Sequence, residues 1–293
     1  NPEWYDDRSD CYIAMEDYTD ALKDLDKAID LAPEFPYYYN NRADFYETQE
    51  NYDEALKDYA TAIEISTDDY QTSRAINNSA NIYWEQEKWE LCIEEYTKAI
   101  EIEEFATGYS NRGRVYQIIK DYDNAIIDIT KSIDLGEEDP EFYAYRVKCY
   151  IEMEDYTNAL KDLDKVIDLA PADPVYYSNR ADLYKDYIER SDLALVDYTK
   201  AIEISTDDYQ TTRAINGRAL IYEKRGDDEL AISEYTKGLT FLKHPVIYKN
   251  RADNYLELED YEKALADFTS AIDLDKENPE RYDDRADCYI AME

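Results

Sequence analysis

The side chains best suited to chemistry are few and scattered. One histidine, His244, stands just before Pro245, whereas nucleophile-and-base catalysis needs an imidazole, or an equivalent base, held against its partner. That position reads as a loop residue. A zinc site calls for several Cys or His at short spacing, and Cys11, Cys92, Cys149 and Cys288 are widely separated. Gly108, Gly113, Gly136, Gly217, Gly226 and Gly238 build no phosphate-cradling loop. Asp273-Leu274-Asp275-Lys276-Glu277-Asn278 comes nearest to a calcium loop but lacks the sixth-position glycine and the terminal Glu. With 70 acidic residues in the chain, close carboxylate pairs arise by number alone and carry no sign of acid-base catalysis. The sequence therefore predicts no enzyme, no cofactor and no dedicated metal site. Asn77-Asn78-Ser79 matches a glycosylation triplet, but inside a predicted helix, where a chance match is the better reading.

Charge turns the question to recognition. Against 32 Lys+Arg, the acids leave a formal charge of −38 over 293 residues, so a polyanion is repelled and no nucleic-acid partner is expected. A composition of 44% apolar residues, with 32 Tyr among them, supplies enough surface to fold despite that charge. Six Gly and eight Pro leave too few turn residues for a β-rich chain, so helices are expected throughout. No apolar run approaches the roughly 18 residues that span a bilayer, and membrane insertion is not expected. The cysteines read as unpaired, which points towards a reducing compartment such as the cytoplasm.

The elements follow from an internal repeat. Openings at Tyr5, Tyr39, Ile76, Tyr109, Tyr143, Tyr177, Ile215, Tyr248 and Tyr282 recur at intervals of 33 to 38 residues, and the slot seven residues on is Tyr in all nine. Counting from each opening, +3 is usually Arg, +4 mostly small, +16 mostly Ala, +19 mostly acidic, +20 mostly bulky and +23 mostly small, the sixth repeat running one residue longer so that Asp197 and Tyr198 take the last acidic and bulky places there. Positions 0, +3, +4 and +7 share one helical face and +16, +20, +23 and +27 another, so each unit reads as two amphipathic helices. Small residues such as Ala43, Ala55 and Ala62 let the backbones approach, while the +7 Tyr and the +20 residue are expected to fill the space between them. One hairpin cannot bury both faces, so neighbours must stack.

This pattern resembles the tetratricopeptide repeat family over essentially the whole chain, as eight repeats and a ninth first helix in one domain spanning residues 1–293. The resemblance implies an all-α, right-handed superhelical solenoid of stacked antiparallel helix hairpins, and protein or peptide binding. Arg replaces the family's frequent Leu at +3 (Arg8, Arg42, Arg112, Arg146, Arg180, Arg218, Arg251 and Arg285, with Ser79 the exception), and an acid follows at +19, or one residue later as Asp197 in the sixth repeat. An Arg-to-carboxylate ladder between first and second helices is expected, with a structural role. In the family the inner groove is lined by first helices, which places Asp6, Asp10, Asn40, Asp44, Asn77, Asn81, Trp84, Arg114, Lys148, Asp182, Asn216, Lys249 and Asp253 in it. Such a groove favours basic segments, although Asp and Asn on an exposed helix face can also be simply solvated. The Lys/Asn clamp of the family's chaperone-binding members is not reproduced.

A longer period overlies the short one. Residues 5–33 match 143–171 at 22 of 29 positions but match 39–67 at only 12, so four repeats, about 139 residues, were duplicated together. The connection at residues 64–72 returns at 203–211, predicting a helix extension or a surface loop in each copy. Residues 278–293 repeat 1–16 at 14 of 16 positions, so the chain reads either as part of a longer array or as one that stacks end to end on other copies of itself. Trp4, Tyr5, Tyr12, Tyr282, Tyr289 and Ile290 are the candidates for that contact. The two functions weighed are a protein-interaction scaffold and a self-assembling superhelical filament, the latter suited to the cell surface or exterior.

Overall fold

A computed structural model describes residues 1–136 and 138–292. Every element among them is a helix, in two compact units, Asn1–Met153 and Glu154–Glu293. Unit one holds α1 (Pro2–Ala14), α2 (Tyr18–Leu31), α3 (Pro36–Thr48), α4 (Tyr52–Ile65), α5 (Asp69–Glu85), α6 (Trp89–Ile102), α7 (Ala106–Ile118), α8 (Tyr122–Asp134) and α9 (Pro140–Glu152). Unit two holds α10 (Tyr156–Leu169), α11 (Pro174–Asp186), α12 (Ser191–Ile204), α13 (Asp208–Lys224), α14 (Asp228–Phe241), α15 (Pro245–Glu257), α16 (Tyr261–Leu274) and α17 (Pro279–Ala291). Odd-numbered helices are the first helices of the repeats. Within the units α1, α3, α5, α7, α11, α13 and α15 each pair with the second helix that follows, and successive hairpins stack in chain order.

The hairpin turn is encoded locally. In repeat one the Asp17 N–H donates to the carbonyl of Tyr12 (2.9 Å) across Glu16, which sits at φ 60°. Repeats two, three, four and eight build the same closure on Tyr46, Tyr83, Tyr116 and Tyr255. This is a helix end with a left-handed residue, after which the next residue caps the second helix: Asp17 accepts from the Asp20 N–H. Turns this short force the two helices antiparallel.

In the eight complete repeats the small residues at +4, +16 and +23 are buried, as are the +20 residues from Leu25 and Tyr59 to Tyr235 and Phe268. The +7 tyrosines do not fill the same space. Tyr12, Tyr46, Tyr83 and Tyr116 are only half-buried, while the interior between repeats is taken by +6 residues such as Phe45, Ile82, Val115 and Leu183. A phenol keeps a polar tip that favours a wet edge, whereas the +6 side chains are mostly apolar. Cys149 and Cys288 share this buried slot, whereas Cys11 is exposed.

The ladder forms. Arg42 Nε and Nη2 donate to Asp58 at 2.7 and 2.8 Å, and Arg112–Asp128, Arg180–Asp197 and Arg251–Asp267 repeat that two-point geometry. Arg8–Asp24 and Arg218–Glu234 are paired as well. The guanidiniums of Arg8, Arg42, Arg112 and Arg251 also lie near tyrosine rings; that of Arg112 is 5.6 Å from Tyr109 and 6.0 Å from Tyr116. Where Ser79 replaces Arg, Glu95 pairs with Lys98 instead.

The two long connections extend first helices. Asp68 and Asp207 cap α5 and α13 by accepting from the Gln71 and Gln210 N–H groups, each at 2.8 Å, and both helices run 17 residues where α3 and α7 run 13.

Candidate functional site

Most acidic and amide groups expected on the first helices are already engaged within their own unit. Asp44 accepts from the Tyr59 hydroxyl (2.5 Å), from Asn78 Nδ2 (2.9 Å) and from Arg74. Its twin Asp182 accepts from the Tyr198 hydroxyl and from Arg213 Nη2 (2.6 Å). Burial, then the Asp44 charge, pushes the Tyr59 phenol well above its usual pKa, and burial raises the Glu47 carboxyl beside it. Asn81 accepts from the Tyr96 hydroxyl (2.6 Å), and Asn216 from Asn250 Nδ2 (3.1 Å). Lys249 donates to Asp253 at 2.6 Å, and burial raises the Asp253 carboxyl.

Two expected groove residues are not on the surface at all. Asp6 is buried and accepts from Asn41 Nδ2 at 2.9 Å; Asn40 is buried and donates to the Gln71 carbonyl and side chain. In these two repeats the +1 side chain meets the next first helix, Asp6 at Asn41 of α3 and Asn40 at Gln71 of α5. Asp10 and Lys148 remain exposed.

The helix extensions create the same cleft twice. In unit one it lies between α5 and α7, lined by Tyr70, Ser73, Arg74, Asn77, Glu103 and Phe105, with a cavity of about 260 Å³. In unit two the corresponding cleft between α13 and α15, about 140 Å³, is lined by Tyr209, Thr212, Arg213, Asn216, Leu242 and His244. The lone histidine is the N-cap of α15, its Nδ1 accepting from the Val246 N–H. Arg74, Arg213, Tyr70 and Tyr209 were not singled out by repeat position, although Arg74-Ala75-Ile76-Asn77 recurring as Arg213-Ala214-Ile215-Asn216 was a readable signal.

Between the clefted end and α9, unit one carries a cationic island. The Arg114 guanidinium on α7 lies 4.9 Å from the Trp84 ring of α5 and 5.1 Å from the Tyr145 ring of α9, and Lys148 Nζ is 5.7 Å from the same tyrosine. Trp84 packs edge-on against Trp89.

Of the end-contact candidates, Tyr5 packs against Ala28, Ile29 and Tyr38, and Tyr12 against Ala21 and Leu25. Trp4 (71% exposed), Tyr282, Tyr289 (56%) and Ile290 (68%) stand in solvent. Among the described residues no group of three or more His, Cys, Asp or Glu is arranged to hold a metal, and no helix is long and apolar enough to cross a membrane.

Tetratricopeptide repeat models match residues 5–35, 34–104, 106–138, 141–173 and 245–278. The chain belongs to the tetratricopeptide repeat family. Its structure is similar to those of other repeat proteins of this kind. The C-terminal part of a tetratricopeptide repeat protein from Cytophaga hutchinsonii aligns at 21% identity and a TM-score of 0.60, over 94% of this chain and 98% of that one. A tetratricopeptide repeat protein from Parabacteroides merdae aligns at 19% and 0.52 over 100% and 99%. YrrB, described as a TPR protein with an unusual peptide-binding site, aligns at 23% and 0.54 over 65% and 96%. No curated protein sequence matches the chain. At these identities the likeness shows the tetratricopeptide repeat fold, and fold and family together support a protein-interaction scaffold.

Proposed function

We propose that this chain is a non-enzymatic scaffold that holds peptide segments against its first helices, favouring basic segments and taking neither nucleic acid nor a membrane as partner. The observation that carries this reading is the cleft built twice, at equivalent places in the two units, by the same helix extension. Each offers a half-apolar recess beside Asn and Arg side chains, a shape that takes one side chain of an extended peptide while amides hold its backbone. The peptide binding named for YrrB agrees with it. A net charge of −38 adds attraction for Lys and Arg around the recess.

The test is titration with an amidated lysine-rich peptide at low and high salt. Binding should weaken with salt as the exposed charges are screened. Thr107→Trp and Val246→Trp, at the mouths of the two clefts, should reduce it, and Ile127→Trp, on an exposed second-helix position, should not. Equal binding by all three variants refutes the reading.

A second reading, self-association through α17, draws on the exposed Tyr289 and Ile290. Concentration-dependent light scattering that Ile290→Glu abolishes supports it; scattering of a constant monomer removes it.

A further inference from the structure

Resting on that peptide-binding reading, we infer that Arg114, stacked against Trp84 and Tyr145, is the recognition point for a carboxylate on the peptide held by unit one. Three observations converge. First, among the described residues Arg114 makes no hydrogen bond or ion pair, whereas the ladder arginines Arg42, Arg112, Arg180 and Arg251 each chelate a carboxylate. Second, its ring contacts come from both neighbouring first helices, which orders the guanidinium plane and leaves its N–H groups without an acceptor; a planar fork held in this way matches a carboxylate at two points.

Third, the duplication supplies an internal comparison. At a constant offset of 139 residues, Trp84, Arg114, Tyr145 and Lys148 correspond to Glu223, Asp253, Asp284 and Asp287. The frame around them is kept: Tyr109, Asn111, Arg112 and Tyr116 correspond to Tyr248, Asn250, Arg251 and Tyr255. All four positions on this face are aromatic or cationic in one unit and acidic in the other. In unit two, two of these acids are paired: Glu223 accepts from the Tyr235 hydroxyl and Asn254 Nδ2 (both 2.9 Å), and Asp253 pairs with Lys249. In unit one the cation is left open. Two cations against one tyrosine ring, Arg114 and Lys148, repel each other until an anion joins them.

The experiment uses three lysine-rich heptapeptides and the full chain: one amidated with a central Asp, the same with Asn, and one without Asp but with a free C-terminal carboxylate. The Trp84 indole N–H resonance, assigned with Trp84→Phe, reports occupancy. The Asp peptide should bind about tenfold more tightly than the Asn peptide, the share of one charge-assisted chelate, and Arg114→Gln should erase that preference while keeping the thermal melt. The third peptide tells a terminal carboxylate from a side-chain one: tighter binding than the Asn peptide shows that either source serves. Equal binding of Asp and Asn peptides, or a preference that survives Arg114→Gln, overturns the inference and leaves the peptide-binding reading standing. Failure of all three peptides to move the Trp84 resonance removes both for unit one.

Discussion

The Arg112–Asp128 pair gives the sharpest test of how the hairpins are held. Asp128 keeps only 4% of its side chain exposed and Arg112 16%, with two parallel N–H···O bonds of 2.7 and 2.8 Å between them. Asp128→Ala removes both acceptors and leaves the guanidinium between two tyrosine rings with only the Thr97 hydroxyl, 2.8 Å from Nη1. Breaking one side of a pair this enclosed costs about 3–5 kcal/mol, because the survivor is a desolvated, uncompensated charge. Arg112→Ala should cost a similar amount for the same reason. The double variant removes both charges and should fall short of the summed singles by about 2 kcal/mol. Urea unfolding followed by far-UV circular dichroism measures all four proteins, provided the slopes agree. Additive losses, or a single loss below about 1 kcal/mol as for a surface ion pair, would refute the claim that the ladder is an enclosed interaction.

Four further outcomes follow. Ser79→Arg should stabilise unit one, because its twin Arg218 already fits the slot and pairs with Glu234 at 2.6 Å; a lower melting temperature contradicts this. Gly217→Ala should destabilise by about 2 kcal/mol although alanine is the better helix former, since the new Cβ would stand 2.3 Å from Tyr198 Cζ; a gain in chemical denaturation would show that Tyr198 moves freely. Burial pushes the Cys92 and Cys149 thiols up to about 11, so in the folded protein a thiol reagent at neutral pH should label Cys11 quickly and these two only on unfolding, as mass spectrometry of the labelled peptides would show. Burial also raises the phenols of Tyr59, Tyr96, Tyr198 and Tyr235. A raised acid pKa means that the folded state keeps protons the unfolded chain releases. This share of stability is therefore complete below the ordinary tyrosine value of about 10 and is lost as pH climbs above it, which pH-dependent melting checks.

Repeat period, helix pairing, hairpin stacking and the Arg–acid ladder were all legible from residue types and spacing, because each depends on contacts at fixed sequence separation. Arg42 meets Asp58 because a short turn brings +3 opposite +19, and no distant residue can alter that register. The site was less legible. Asp6 and Asn40 carried the signature of surface residues yet are buried, because which edge of a first helix faces water depends on how its neighbour packs. Asp44 and Asp182 read as groove acids but are neutralised by Arg74 and Arg213, whose own positions depend on helix extensions that the repeat register left open between helix and loop. Composition set the average charge of the chain; only the packing of α5, α7 and α9 decided that Arg114 stands between two rings with no carboxylate among the described residues, since pairing is settled by distance across helices and not by order along the sequence.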